Sequence, residues 1–275
     1  MKNTKPTRYK IQTLAQLGSQ LPVGVVSAGT LDKALDLIPY QMKQERELAK
    51  MRRPGSGVGA YVEAAMSLLV KQFGPHNVAS MEDKGTRKLV FSQAYLADIL
   101  YAYLYIRYAA LGPQFPLLMR CPACRNAQQV VGDLDTLEVE VATDTKQLTW
   151  PLELRDGVKI GGQVRRSLTL QPPVWGQLDV SRFDDEGLRQ IMMLKAALVT
   201  AEGLDGPPVL FDADVDEMSK WDVELISKSI EDNSPGPRML IESRCERCSS
   251  EMFGLLEWAS EGFFSMPSQS PLRKS

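Results

Sequence analysis

Residues 112–126, Gly-Pro-Gln-Phe-Pro-Leu-Leu-Met-Arg-Cys-Pro-Ala-Cys-Arg-Asn, and residues 236–250, Gly-Pro-Arg-Met-Leu-Ile-Glu-Ser-Arg-Cys-Glu-Arg-Cys-Ser-Ser, decide how this chain is read. Each begins at a helix-stopping Gly-Pro, continues as a short strand and ends on a CxxC turn. Upstream, Asp98 stands 14 residues before Gly112, and Asp222 stands 14 before Gly236. Asp98, Gly112, Pro113, Cys121 and Cys124 thus recur as Asp222, Gly236, Pro237, Cys245 and Cys248, at one offset of 124 residues without a gap. Gly-Pro occurs four times in the chain, so that dipeptide alone is weak; helix, stop, strand and cysteines in one order carry the repeat. The pattern predicts two helix–knuckle units that face each other across shared metal.

A CxxC turn presents two thiolates on one side of a tight loop. Two such turns, Cys121/Cys124 and Cys245/Cys248, supply four sulfurs, enough to close a tetrahedral sphere and leave no position for water or substrate. The site therefore reads as structural, with one Zn2+ as the expected ion. Pro122 stiffens the first knuckle, and Arg120, Arg125, Arg244 and Arg247 flank the pairs and favour the thiolates. The 120 residues between Cys124 and Cys245 exceed the usual zinc-ribbon spacing, which the repeat compensates by predicting equivalent placement. Three rivals remain: unliganded thiols, a redox CxxC and an iron–sulfur centre. A redox pair wants a helix starting at the motif, whereas a strand follows each pair here. Iron ligation by the same four residues stays open.

Outward from the knuckles, segment 40–53 (YQMKQERELAKMRR) is a charged helix stopped by Pro54-Gly55-Ser56-Gly57. Apolar spacing predicts helices at about 58–73, 92–111, 186–201 and 214–231. Between 127 and 170 the pattern changes to short β-type runs, and strands are expected at 239–243 and 251–258. The predicted fold is α+β: two pseudo-symmetric helix–CxxC-knuckle units sharing one zinc site, with an inserted β-rich subdomain. The expected divisions are 1–34, an extended or loosely docked segment; 35–126, helical with the first knuckle; 127–213, the β-rich and helical insertion; 214–266, helix plus second knuckle; and 267–275, a flexible tail.

Composition narrows the function classes. With 32 basic against 34 acidic residues the net charge is −2, which lacks the basic excess of a general polyanion binder. Met1-Lys-Asn-Thr-Lys leads into no apolar core, so no secretory signal is expected, and the apolar stretch 95–111 is too short and polar to span a bilayer. The single histidine, His76, follows a Gly-Pro stop and reads as a surface-loop residue. Asp212, Asp214, Asp216 and Glu217 lack the spacing of a calcium loop and read as a helix N-terminus. Tyr95, Tyr101, Tyr103, Tyr105 and Tyr108 crowd one helix and read as core or a protein interface. No nucleotide, hydrolase or zinc-protease motif occurs, and no catalytic residue is assigned.

The ordered set of motifs resembles the T-even-type phage baseplate hub and hub-assembly family. The matching elements are Glu45–Arg52 (ERELAKMR), the helix with Leu96-Ala97-Asp98 and Ile106-Arg107, and the CPAC knuckle at 121–124. They continue with Asp133–Val139 (DLDTLEV), Trp221-Asp222, Gly236-Pro237, CERC at 245–248 and Phe263-Phe264. The resemblance spans residues 35–265 and implies a non-enzymatic baseplate component or tail assembly chaperone of a phage or phage-derived contractile injection system. Its implied partners are other tail and baseplate proteins, and its implied location is the host cytoplasm during assembly or the finished particle. The alternative class is a zinc-ribbon nucleic-acid-binding module.

Overall fold

The structure, a computed structural model, describes residues 9–51, 58–178, 186–204 and 208–256. Pro54-Gly55-Ser56-Gly57, Phe263-Phe264 and the tail from 267 lie outside the described residues. The fold is mixed α+β.

In chain order, strand β1 (Lys10–Thr13) runs into the one-turn helix α1 (Leu14–Leu17), then a hairpin of β2 (Gln20–Ser27) and β3 (Thr30–Leu37). Thr13 and Gln16 cap α1 reciprocally, each side chain accepting the other's backbone N–H. Helices α2 (Met42–Met51) and α3 (Val58–Leu69) follow, then β4 (Val70–Phe73) and β5 (His76–Asn77). Next come α4 (Lys84–Ser92), α5 (Leu96–Leu111), and the strands β6 (Gln114–Arg120), β7 (Ala127–Asp133) and β8 (Glu138–Val141). A second hairpin, β9 (Trp150–Ile160) and β10 (Gln163–Leu170), precedes α6 (Glu186–Ala197) and β11 (Leu198–Ala201). The last described elements are α7 (Asp212–Asp216), α8 (Lys220–Asn233), β12 (Gly236–Pro237), β13 (Leu240–Arg244) and β14 (Glu251–Leu255).

Among the described residues the strands form five antiparallel sheets: β2-β3-β4-β5, β11-β10-β9, β1-β8-β12, β6-β7 and β13-β14. The larger core gathers Leu14, Leu21, Val62, Phe73, Ile99, Leu104, Val139, Trp175 and Leu256, so it draws on both ends of the described chain. A second core joins Trp150, Leu154, Leu168 and Leu194 to Ile226 and Ile230 of α8.

Several expectations change. Of residues 1–34, expected to be extended or loosely docked, the described part from Tyr9 is tied into the fold: Leu14, Leu21 and Val23 are fully buried, and β1 pairs with β8. Burying those side chains outweighs the mixed polarity around them, at roughly 1.5–3 kcal/mol each. The described strands of residues 127–213, expected as an inserted β-rich subdomain, are spread over three sheets. β7 belongs to the first knuckle hairpin, β8 joins β1 and β12, and β9–β11 share a core with α8. The helices expected to reach 73 and 201 stop at Leu69 and Ala197, where the chain continues directly as β4 and β11. The expected helix 92–111 begins at Leu96 after α4 ends at Ser92, and 214–231 divides into α7 and α8 at the Ser219 cap, whose hydroxyl accepts the Asp222 N–H. Among the described residues no helix is long and apolar enough to cross a membrane.

Candidate metal centre

Both CxxC turns sit at the tips of two-stranded hairpins. β6 and β7 pair from Gln114–Asp133 to Arg120–Ala127, and β13 and β14 pair from Leu240–Leu255 to Arg244–Glu251. At the first tip the Cys121 N–H donates to the Asn126 carbonyl and the Arg125 N–H to the Cys121 carbonyl, each at 2.9 Å. At the second, Cys245 N–H donates to Ser250 O at 2.9 Å and Ser249 N–H to Cys245 O at 2.8 Å. Each turn closes through one left-handed residue, Arg125 at φ 59 and Ser249 at φ 58. A non-glycine residue there costs roughly 1–2 kcal/mol, a local strain that the hairpin must offset.

These two tips bring Cys121, Cys124, Cys245 and Cys248 together, with sulfurs 3.5–3.7 Å from one another. The cross-hairpin pairs Cys121–Cys248 and Cys124–Cys245 are both at 3.6 Å. A disulfide would need about 2.0 Å, and all four cysteines are free. A tetrahedron with metal–sulfur bonds of ~2.3 Å has sulfur–sulfur edges of about 3.8 Å, close to the spacing observed. The arrangement can hold one tetrahedral ion with no ligand position left over.

The first cysteine of each pair is buried, Cys124 is half-buried and Cys248 is exposed. Met119 and Met252 are buried beside Cys121 and Cys245, with Leu117 and Val130 packed around them. The Ser250 side chain and backbone N–H hold the Cys248 thiol down to about 6. At Cys124 the Asn126 N–H also pulls downward, but loss of solvent and the surrounding sulfurs outweigh it and push the thiol up to about 12. Arg120, Arg125, Arg244 and Arg247 are all exposed around this cluster.

Two further residues position the hairpins. Arg107, fully buried near the end of α5, donates to the carbonyls of Gly112 at 2.8 Å and Gln114 at 2.6 Å, and its guanidinium lies over the Phe115 ring at 5.7 Å. It thereby fixes the start of β6 to the helix. Gln128 of β7 bridges the knuckles, donating to Arg244 O at 3.1 Å and accepting Glu246 N–H at 2.9 Å. An arginine within an apolar helical run was the available signal for the first; nothing in the sequence marked the second.

No family model, curated protein or solved structure matches the chain.

The remaining candidates lie apart from the cluster. His76 pairs with Phe73 in the β4–β5 turn. Asp212, Asp214 and Asp216 are on α7 and Glu217 is its C-cap; the Asp214 carboxylate accepts the Phe211 N–H, and Lys195 pairs with Asp212. Tyr101 and Tyr103 are buried, Tyr101 donates to the Gly18 carbonyl at 2.6 Å, and Tyr101, Tyr105 and Tyr108 stack in sequence.

Proposed function

We propose that the four cysteines hold one structural Zn2+, and that the chain is a non-enzymatic baseplate component or assembly factor of a phage or phage-derived contractile tail. The observation that carries the metal reading is the convergence of four sulfurs from two distant hairpins at the edge length of a tetrahedral sulfur cage. Zinc suits the donor set: four soft thiolates, tetrahedral, with no redox demand on the site. The two helix–knuckle units then act as pseudo-symmetric partners around that ion. The ion's part is to stabilise the fold, since thiolate ligation couples metal binding to folding by ~10–16 kcal/mol in small zinc modules.

The tail reading rests on the ordered motifs from Glu45 to Phe264 and on a metal centre that offers no reactive position. Its test is compositional. The tagged chain is followed through assembly in its native gene cluster, and finished particles are quantified by mass spectrometry. A fixed low copy number supports a baseplate part. Absence from particles together with failed assembly on deletion supports an assembly factor. Absence with normal assembly would refute the tail reading and favour the nucleic-acid-binding alternative, whose affinity should then fall steeply with salt.

A further inference from the structure

Backbone bonds of the first half of the chain recur in the second. The β2–β3 hairpin pairs Val25–Asp32, Val26–Leu31 and Ser27–Thr30, then slips so that Gln20 faces Ala34. The β9–β10 hairpin pairs Val158–Arg165, Lys159–Val164 and Ile160–Gln163, then slips so that Glu153 faces Ser167. Every one of these positions is 133 residues beyond its counterpart. The turns agree as well, with φ of 48 and 79 at Ala28 and Gly29 against 57 and 80 at Gly161 and Gly162.

Agreement continues through the next strand. β3 meets β4 at Leu35–Phe73 and Asp36–Gln72 and shifts to Leu37–Val70; β10 meets β11 at Leu168–Ala201 and Thr169–Thr200 and shifts to Leu170–Leu198. The bonds Gly74 N–H to Ala34 O and Ile38 N–H to Leu69 O recur as Glu202 N–H to Ser167 O and Gln171 N–H to Ala197 O. Helices α3 and α6 have 12 residues each and start 128 apart. From α5 and α8 onward the offset is 124, the value already seen in the cysteines.

Hairpins alone are common enough to recur by chance. A shared three-part lock is not. Gly24 at φ 91 and Gly157 at φ 94 are left-handed at the same hairpin position, and a Cβ on either would come within 2.6 Å or 2.8 Å of the facing carbonyl, Asp32 or Arg165. The freed N–H of each glycine is taken by a buried aspartate from the first turn of the later helix: Gly24 by Asp98 at 3.0 Å, Gly157 by Asp222 at 3.0 Å. Asp98 and Asp222 are the buried acids among the described residues.

We infer that the chain is a tandem duplication of one unit, present as residues 20–133 and again as 153–255, and that the metal centre is the seam locking the two copies together. The first clause stands on the backbone bonds alone; the second rests on the metal reading proposed above. The offset falls from 133 to 128 because the second copy is shorter between β10 and α6, where the first copy carries α2, and from 128 to 124 because α7 is four residues shorter than its counterpart α4. Each copy contributes one knuckle and so half a coordination sphere. A knuckle that loses its partner's sulfurs therefore loses its own ion.

Two measurements on the full chain test this. First, hydrogen exchange is followed by mass spectrometry for the wild type with zinc, the wild type after chelation, and the double variants Cys121→Ser/Cys124→Ser and Cys245→Ser/Cys248→Ser. A seam predicts that either variant, like chelation, lowers protection at least tenfold in both 114–133 and 240–255, while the amides of Gly24 and Gly157 stay protected. Loss confined to the altered hairpin, with zinc bound in the wild type, would overturn the seam. A wild type that binds no zinc overturns the metal reading and the seam together. Second, residues 122–126 and 246–250 are exchanged within the chain, keeping all cysteines. Their burial already agrees position by position except at the second cysteine, so a duplication predicts an unchanged hairpin register and a melting temperature within a few degrees of wild type. A chain that unfolds or loses that register would overturn the duplication, whatever the metal content.

Discussion

Replacing Asp98 by asparagine should change how stability depends on pH, and the structure sets the sign. The Asp98 carboxyl is fully buried and accepts the Val23 N–H at 2.8 Å and the Gly24 N–H at 3.0 Å. Desolvation raises it from 3.8 to about 7, against those two donors and the nearby Lys33 ammonium. In the folded chain the group thus holds its proton across a range in which the unfolded chain has lost it. Its contribution is fully present below pH 3.8 and is lost as pH rises through about 7. That interval corresponds to ~4 kcal/mol between mildly acidic and neutral solution. Asparagine cannot ionise, and its carbonyl can accept one N–H as the neutral acid does, so the variant escapes the penalty. Urea unfolding of wild type and Asp98→Asn at matched pH from 4 to 8, with zinc present throughout, gives a difference in which the titration of the cysteines cancels. The variant should gain by up to ~4 kcal/mol relative to wild type as pH rises. A flat difference, or one of opposite sign, would mean that the two N–H donors and Lys33 hold a stable carboxylate, and would refute the reasoning.

At the counterpart, Asp222, burial pulls the carboxyl up but the N–H groups of Arg155, Asp156 and Gly157 pull it further down, so its stabilisation is present at neutral pH and is lost as pH falls through a value below 3.8; Asp222→Asn should therefore lose most at neutral pH and progressively less below pH 3.8, in a titration extended to more acidic solution. Gly24→Ala and Gly157→Ala each force a Cβ into a left-handed position facing a carbonyl, and each should lower unfolding stability by roughly 1–3 kcal/mol in denaturant titration. Arg107→Met strips donors from the carbonyls of Gly112 and Gln114 and should cost about 2–4 kcal/mol, with zinc retained by elemental analysis. Trp221→Ala should move stability by less than about 1 kcal/mol, because the Arg155 guanidinium lies 5.4 Å from the ring centroid at an exposed site.

The knuckles were legible because cysteine spacing survives any change in its surroundings, and a constant offset of 124 joined each CxxC to its helix. The rest of the repeat was hidden by loop length. Once α4 and α7, and then the connections before α3 and α6, differ in length, counterparts stand 128 and then 133 apart, and a search at one offset stops there. That is why residues 127–213 read as an insertion. Val70–Phe73 and Leu198–Ala201 read as helix because no glycine or proline separates them from the apolar helices they continue; only their pairing with Leu35–Leu37 and Leu168–Leu170 makes them strands. The N-terminal strands were unreadable for a similar reason. β1 is half exposed, and its place is set by β8, far along the chain.

The most direct test of the account is X-ray absorption at the metal edge of freshly purified protein, combined with elemental analysis. The account predicts one zinc per chain, bound by four sulfurs at ~2.3 Å, with the signal lost together with zinc in Cys121→Ser. A stable wild type without metal, or an ion bound by oxygen or nitrogen, would contradict it.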